Sequence, residues 1–250
     1  MNYAALLRLP AYAALVAALL LNAGCATTQG VQGSAADDEY DPLEGFNRAM
    51  YSFNENVDKA VLKPLATGYK NVVPQPARTG VANFFNNLSY PIVILNDFLQ
   101  GKAEQGADDL MRLIINSSFG LFGFLDVATP GGLPAHKEDF GQTLGYWGVA
   151  DGAYIVLPFF GPSNVRDTFG LAADIYTDPL THHDDISQRN WAWGIRAIDN
   201  RSRLLSAGRI LDEAATDPYS FTREAYRQRR ASQIRDEETT SQQQDFRKDE

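Results

Sequence analysis

The residue of this chain whose setting best suits covalent chemistry is Cys25, the single cysteine among 250 residues. One thiol cannot form an intrachain disulfide, and without a second thiol it is a poor metal ligand. The cysteine closes a short apolar stretch at the N-terminus and follows two small residues, Ala23 and Gly24. This setting predicts that Cys25 becomes the first residue of the mature protein. It would then carry acyl chains, palmitate included, as an anchor at a membrane surface.

The stretch before the cysteine has the composition of a signal peptide, which we assign to residues 1–24. Arg8 is its only charged side chain, and residues 9–21 are a thirteen-residue run rich in Ala, Leu and Val. A membrane-spanning helix would need roughly 20 apolar residues. Ala23-Gly24-Cys25 resembles the lipobox of bacterial lipoproteins, although Asn22 stands where Leu is preferred. By resemblance to Gram-negative lipoproteins, Ala26 after the cysteine, where Asp is absent, favours export to the outer membrane over retention in the inner membrane. An ordinary signal peptide that leaves a free thiol is the alternative.

Catalytic constellations are scarce in the rest of the chain, so an enzyme is the weaker hypothesis. The three histidines are His136, His182 and His183. His182-His183-Asp184-Asp185 could bind a metal on paper, but adjacent side chains rarely point at one ion, and a solvated turn is favoured. The nucleophile elbow, the P-loop and the dinucleotide fingerprint are missing from the sequence. We predict no cofactor, no metal and no catalytic residue, with a phospholipase as a remote rival.

Charge and composition divide the chain into a tether, a body and a tail. The formal net charge is −9, which disfavours nucleic acid as a partner because such binding depends on neutralising phosphates. Residues 25–40 are polar and small and predict a flexible tether, and residues 231–250 predict a disordered polar tail. The folded domain is therefore expected at 41–230. A basic cluster near its end is interpreted as a solvated helix face (Arg223, Arg227, Arg229 and Arg230).

The body has helical periodicity. Asp41-Pro42-Leu43-Glu44 predicts a helix start at which Asp41 caps the free N–H groups, and Asp178-Pro179 and Asp217-Pro218 repeat that signal. Residues 102–122 predict a second long helix with a wide apolar face and an opposite polar row (Glu104, Asp108, Arg112 and Asn116). A further helix is indicated around Trp191. Residues 154–160 could form a short strand, although Pro158 weakens that prediction.

Three short apolar segments, 90–99, 113–127 and 153–160, are unusual for a plain helical bundle. None is long enough to span a bilayer, so each is either buried core or an interfacial element. Glycine is dense from 119 to 162 and alternates with aromatic residues. From this pattern alone buried core is slightly favoured.

Motifs along almost the whole body resemble the MlaA (VacJ) family of outer-membrane lipoproteins. The match covers nearly all of residues 41–226, and the number and order of the motifs carry it. The stretches that carry it are Asp41 to Arg48, Val73 to Arg78, Asn83-Phe84 with Asn87-Leu88, Phe98 to Gly101, Asn116-Ser117, Gly123 to Ala128, Phe140 to Gly145, Gly148-Val149, Leu157 to Ser163, Arg166-Asp167 and Asp217 to Tyr219.

The resemblance implies an all-α fold, a ring-like helical assembly with short amphipathic and interfacial helices embedded in one membrane leaflet around an amphipathic channel. It implies association with a trimeric porin and removal of misplaced phospholipid from the outer leaflet to a soluble periplasmic carrier, which maintains lipid asymmetry. The rival interpretation is a lipoprotein that braces the envelope or a porin without transport. Candidates for lining the lipid path are Asn47, Asn54, Arg166 and Asp167, with local capping or structural pairing as their alternative role.

Overall fold

A computed structural model describes residues 41–208 and 215–236. Cys25, the signal peptide, the tether and most of the expected tail lie outside the described residues. The predictions made for them therefore stay predictions.

The described residues are mainly helical, as the all-α prediction requires. The eight helices described run in this order: α1 (Glu44–Val57), α2 (Lys63–Val72), α3 (Gln75–Leu99), α4 (Ala103–Ser118), α5 (Phe140–Tyr146), α6 (Val165–Thr177), α7 (Ile186–Arg203) and α8 (Pro218–Ile234). A π-helical turn (Asp58–Leu62) joins α1 to α2, and a 3₁₀ turn (Pro179–His182) precedes α7. None of the helices in the described ranges is long and apolar enough to cross a membrane.

One antiparallel hairpin interrupts the helices. Its strands are β1 (Tyr154–Leu157) and β2 (Gly161–Asn164), with Tyr154 opposite Asn164 and Leu157 opposite Gly161. The predicted strand therefore exists but stops at Leu157, because the following residues turn. Phe159 has positive φ in that turn, as does Gly161, the first residue of β2.

A helix or helical turn begins at the Asp-Pro signal in all three places, but the aspartate side chain caps it in only two. The Asp178 and Asp217 carboxylates accept the N–H of the residue two places on, Leu180 and Tyr219. The helix start predicted after Asp41 is confirmed, but its predicted cap is wrong, because α1 begins without a side-chain cap. The Asp41 carboxylate instead accepts hydrogen bonds from Asn47 and from two residues of α8 (Tyr219 and Arg223).

Two further expectations about the C-terminal part need correction. The basic cluster is not a uniformly solvated face: Arg223 is buried against Asp41, and the Arg230 side chain is mostly buried between two carboxylates. The expected boundary at residue 230 also falls inside α8, which continues to Ile234. Gln233 is buried, and Ile234 packs near Gly145, so this turn belongs to the fold.

The packing of the helices sets up the interior. Helix α3, the longest described, packs mainly on α4, α5 packs on α6 and α8, and α7 packs on α2 and α3. The small aromatic core at the hairpin consists of Tyr154, Val156 and Tyr219. The described interior as a whole is chiefly polar, because 22 polar or charged residues are buried against ten hydrophobic ones.

Candidate functional site

Helix α4 has the reverse of the usual burial pattern. Its apolar residues Leu110, Met111 and Ile114 are 42–49% exposed, whereas Arg112 and Asn116 are each 3% exposed. Water would disfavour such a surface, but the interior of a bilayer would not. The predicted polar row is therefore confirmed at its C-terminal half and faces the protein. At its start the inward residue is Asp109, because Asp108 is only half-buried.

A tip loop, residues 119–125, extends this apolar surface beyond α4. Phe119 and Phe122 are 77% and 79% exposed, and Leu121 and Phe122 both adopt positive φ. Gly120 allows the turn, because a Cβ there would lie 2.1 Å from the Leu125 carbonyl oxygen. The chain thus accepts unfavourable backbone angles while leaving large apolar side chains uncovered. Such a loop suits contact with lipid, and the glycine-rich segment begins here.

Arg112 organises the polar interior between α3 and α4. Its Nε donates to the Tyr90 hydroxyl at 2.6 Å, and its Nη2 donates to both Asp126 oxygens at 3.0 and 3.1 Å. Burial alone would raise the pKa of Asp126, but hydrogen bonds from Thr129 and the charge of Arg112 hold it below its usual value. The positive charge of Arg112 is therefore neutralised within the protein by the Asp126 carboxylate.

A cavity of about 220 Å³ lies beside this pair and is called the polar cavity below. It is lined by one face of α3, by two residues of α4 and by two loops: Asn83, Asn86, Ser89, Tyr90, Val93, Arg112, Asn116, Asp126, Ala135, His136 and Lys137. The His136 ring lies with Nδ1 3.0 Å from an Asp109 oxygen, and its buried Nε2 has no partner among the described residues. From the sequence, His136 was only one of three histidines, and no local pattern assigned it a role.

A carboxyl cluster lies behind His136. It consists of Asp97, Asp109 and Glu138, all buried. Burial, followed by the charges of Asp109 and Glu138, raises the pKa of Asp97 to about 8. No donor in the described residues reaches the Asp97 oxygens. Asp97 can therefore hydrogen-bond to Asp109 when Asp97 itself carries a proton. Lys102 compensates Glu138 at 3.0 Å.

A second charged centre joins α8 to α5 and α6, and we call it the Arg230 clamp. Arg230 donates to Asp139 at 2.6 and 2.9 Å and to Asp167 at 2.9 Å, and Tyr226 also donates to Asp167. Burial would raise the pKa of both carboxyls, but the bonded Arg230 guanidinium holds each below its usual value. Gly141 makes room for it, because a Cβ there would lie 2.6 Å from Nη2 of Arg230.

Two of the four predicted path residues belong to this clamp. Arg166 donates to Asp167 at 2.9 Å and to the Val149 carbonyl oxygen. Asp167 also exchanges hydrogen bonds with Asn164, which caps α6. The structure thus brings Arg166 and Asp167 together and gives both protein partners.

The other two predicted path residues hold the hairpin on α1. Asn47 donates to the Tyr154 carbonyl oxygen at 3.0 Å and accepts from the Val156 N–H at 2.8 Å. Asn54 does the same for Leu157 and Phe159 at 2.9 and 2.7 Å. Both amides have protein partners, as the alternative role anticipated. For all four residues the lipid-path role stays a prediction.

Nothing in the described ranges groups three His, Cys, Asp or Glu side chains around one point as a metal site would. Of the pair His182 and His183, the first lies against the Tyr176 carbonyl oxygen and the second against Gln188. Asp185 caps α7. These three side chains therefore all have partners within the protein.

Known proteins resemble this chain along most of its length. A family model described as "MlaA lipoprotein" matches residues 39–233. The "Intermembrane phospholipid transport system lipoprotein MlaA" of Escherichia coli (strain K12) is 39% identical, over 86% of this chain and 85% of the relative. The protein of that name in Haemophilus influenzae is 35% identical over 89% of both chains. A solved structure described as "Structural basis for maintenance of bacterial outer membrane lipid asymmetry" has a TM-score of 0.69 and 37% identity. It covers 78% of this chain and 98% of its own.

Proposed function

Because the chain belongs to the MlaA lipoprotein family, we propose that it transports phospholipid between membranes and so maintains the lipid asymmetry of a Gram-negative outer membrane. The relatives support this function, because they are named as lipoproteins of an intermembrane phospholipid transport system.

The single observation that carries the proposal is the inverted burial. Large apolar side chains face outwards along α4 and the tip loop, while Arg112, Asn116 and Asp109 face inwards. A phospholipid leaving a bilayer needs a polar route for its headgroup, because a charge in hydrocarbon costs several kcal/mol. It also needs an apolar neighbourhood for its acyl chains. A protein with a polar interior and an apolar exterior provides both, through an amphipathic channel.

The finer parts of the proposal concern place and partners. Acylated Cys25 anchors the protein on the periplasmic side of the outer membrane, and the apolar surface seats the body in the inner leaflet. A trimeric porin holds it there, and a soluble periplasmic carrier receives the lipid. The lipid crosses intact, so the protein needs no catalytic residue for this task.

Reconstitution tests the proposal. The acylated protein is placed in vesicles with labelled phospholipid in one leaflet, and transfer of intact lipid to an added periplasmic carrier is measured. Transfer above that from protein-free vesicles is expected. A structural brace would give none, and a phospholipase would release fatty acid or headgroup; either result would reject the proposal.

Replacing Cys25 by Ala tests the anchor separately. In cells, this variant is expected to lose its outer-membrane fractionation and to raise outer-leaflet phospholipid, measured by labelling of surface amines. Thr27→Ala, two residues further along the chain, is the matched control and should behave as wild type. Unchanged lipid asymmetry with Cys25→Ala would contradict the anchoring role.

A further inference from the structure

We propose that the polar cavity binds the phosphate of a glycerophospholipid headgroup, with Lys137 and His136 as the recognising side chains. This inference rests on the proposed function and assigns part of the lipid's route to a definite place between α3 and α4. The shared chemistry is a phosphate group, which a lipid or free inorganic phosphate could supply.

The cavity is large enough for such a group, and several polar side chains reach its lining. Its volume of about 220 Å³ is far above the roughly 10–15 Å³ that a single water requires. Its walls carry amide, hydroxyl and charged groups from four separate segments of the chain. The internal charges of Arg112 and Asp126 match each other, and Arg112 uses its donors on Tyr90, Asp126, Thr129 and the Leu133 carbonyl oxygen. This pair therefore builds the wall and leaves recognition to other residues.

His136 provides the observation that points to a ligand. It is 6% exposed, and Asp109 fixes its ring through Nδ1, yet Nε2 has no hydrogen-bond partner among the described residues. A buried polar atom without a partner is costly, so its retention indicates that something else satisfies it. With a proton on each ring nitrogen, the side chain can donate from Nδ1 to Asp109 and from Nε2 to a phosphate oxygen.

Lys137 provides the charge. It is exposed and lines the cavity next to His136, and its ammonium forms no ion pair within the described ranges. Because Asp126 is already held by Arg112, an incoming phosphate would be the natural counter-ion of Lys137. The Asn86 amide on the same lining is also exposed and can donate to the remaining phosphate oxygens.

A second cavity with apolar side chains adjoins the first. A second, wider cavity of about 680 Å³ shares Asn83 and Asp126 with the first. Its walls include Phe124 and Leu125, which belong to the tip loop, and Pro130. A lipid whose phosphate lies in the polar cavity would therefore have apolar side chains close by, beyond Asn83 and Asp126, for its acyl chains. Free phosphate would gain nothing from them, so the adjoining cavity favours the lipid.

Binding to the full acylated protein tests the inference. The protein is released from non-ionic detergent micelles containing either a diacyl phospholipid or diacylglycerol with the same acyl chains, and bound lipid is counted by native mass spectrometry. Lys137→Gln removes the charge. His136→Asn keeps a donor towards Asp109 and removes Nε2. Each is expected to weaken phospholipid binding about tenfold, the scale of one charge-assisted hydrogen bond, and to leave diacylglycerol binding unchanged. Lys70→Gln, an exposed lysine of α2 outside the cavity lining, is the control.

Each contrary result has a definite meaning. Wild-type phospholipid binding in both variants, or an equal loss with diacylglycerol, would overturn the cavity assignment. So would inorganic phosphate that occupies the site and cannot be displaced by phospholipid. If both variants lose binding while wild-type protein transfers lipid, the inference and the function stand together. If both variants keep wild-type binding and transfer, the function stands without this site, whereas absence of transfer by the wild type rejects the function itself.

Discussion

Replacing Arg230 by Gln should destabilise the fold strongly and in a pH-dependent way. Arg230 is the cation between Asp139 and Asp167, with bonds of 2.6 to 2.9 Å and a side chain that is 13% exposed. Removing one partner of a buried ion pair costs about 3–5 kcal/mol, because the remaining charge is left without compensation. Asp139 is 35% exposed, so solvent screens part of its charge. We therefore expect a loss of about 3 kcal/mol at pH 7.

The pH dependence follows from the two carboxyls. In the folded wild type the pKa of Asp139 and of Asp167 lies below the ordinary value of an aspartate, because Arg230 stabilises both charged forms. Their stabilising contribution is thus present above the unfolded-state pKa and is lost as the pH falls through the folded-state pKa. In Arg230→Gln that contribution is missing at neutral pH. The difference in unfolding free energy between wild type and Arg230→Gln should accordingly become smaller as the pH is lowered towards about 3.

The assay is urea unfolding followed by fluorescence of the three tryptophans, in a detergent that covers the apolar surface. Arg229→Gln is the matched control, because Arg229 is the exposed neighbour on the same helix. A loss below about 1 kcal/mol for Arg230→Gln, the scale of an exposed ion pair, would refute the reasoning. The reasoning would also be refuted if the difference in unfolding free energy between variant and wild type stayed constant as the pH is lowered from neutral into the range where aspartates titrate.

Three further predictions concern other parts of the molecule. Asp97→Asn should become more stable relative to wild type as the pH rises from about 4 to about 8, because the raised pKa makes ionisation of Asp97 unfavourable in the folded protein. Urea titrations across this pH range measure the difference in unfolding free energy, and a pH-independent difference would contradict the prediction. Gly141→Ala should lower the unfolding midpoint by displacing Arg230, whereas Gly68→Ala, in open space on α2, should raise the stability by up to about 1 kcal/mol; equal effects would be the contrary result. Phe122→Asp should reduce flotation with phospholipid vesicles while Phe122→Leu keeps it, and equal flotation of both would remove the tip loop from the membrane contact.

Local features of the sequence were enough to predict the elements but not their partners. Asp178 and Asp217 cap helices as expected because a cap involves only the next few residues. Asp41 carries the same signal, yet its carboxylate binds Tyr219, which is 178 positions away. A short-range rule cannot weigh such a competitor.

The candidate site shows the same division. The polar row of α4 was visible from its spacing, and Arg112 and Asn116 are indeed its inward residues. The choice of Asp109 over Asp108 depends on where His136 lies, and sequence spacing does not fix that position. Arg230 and Asp139 are 91 positions apart, so no rule about neighbouring residues predicts that they pair. The sequence pattern alone slightly favoured buried core for the apolar segments, yet Phe119 and Phe122 are exposed. Core and lipid-facing surface select the same side chains, so the pattern could not separate them.

The bonds from Asp41 to α8 have a consequence for the order in which the chain can fold. Asp41 precedes α1, and its partners Tyr219 and Arg223 lie 178 and 182 residues later. Contacts of such high sequence separation form late, since the loop they close is nearly the whole body. The start of the body must therefore wait for its end. Until α8 has emerged, α1 and the hairpin it holds lack part of their polar contacts, and the apolar surfaces of the growing chain have neither a finished fold nor a bilayer to cover them.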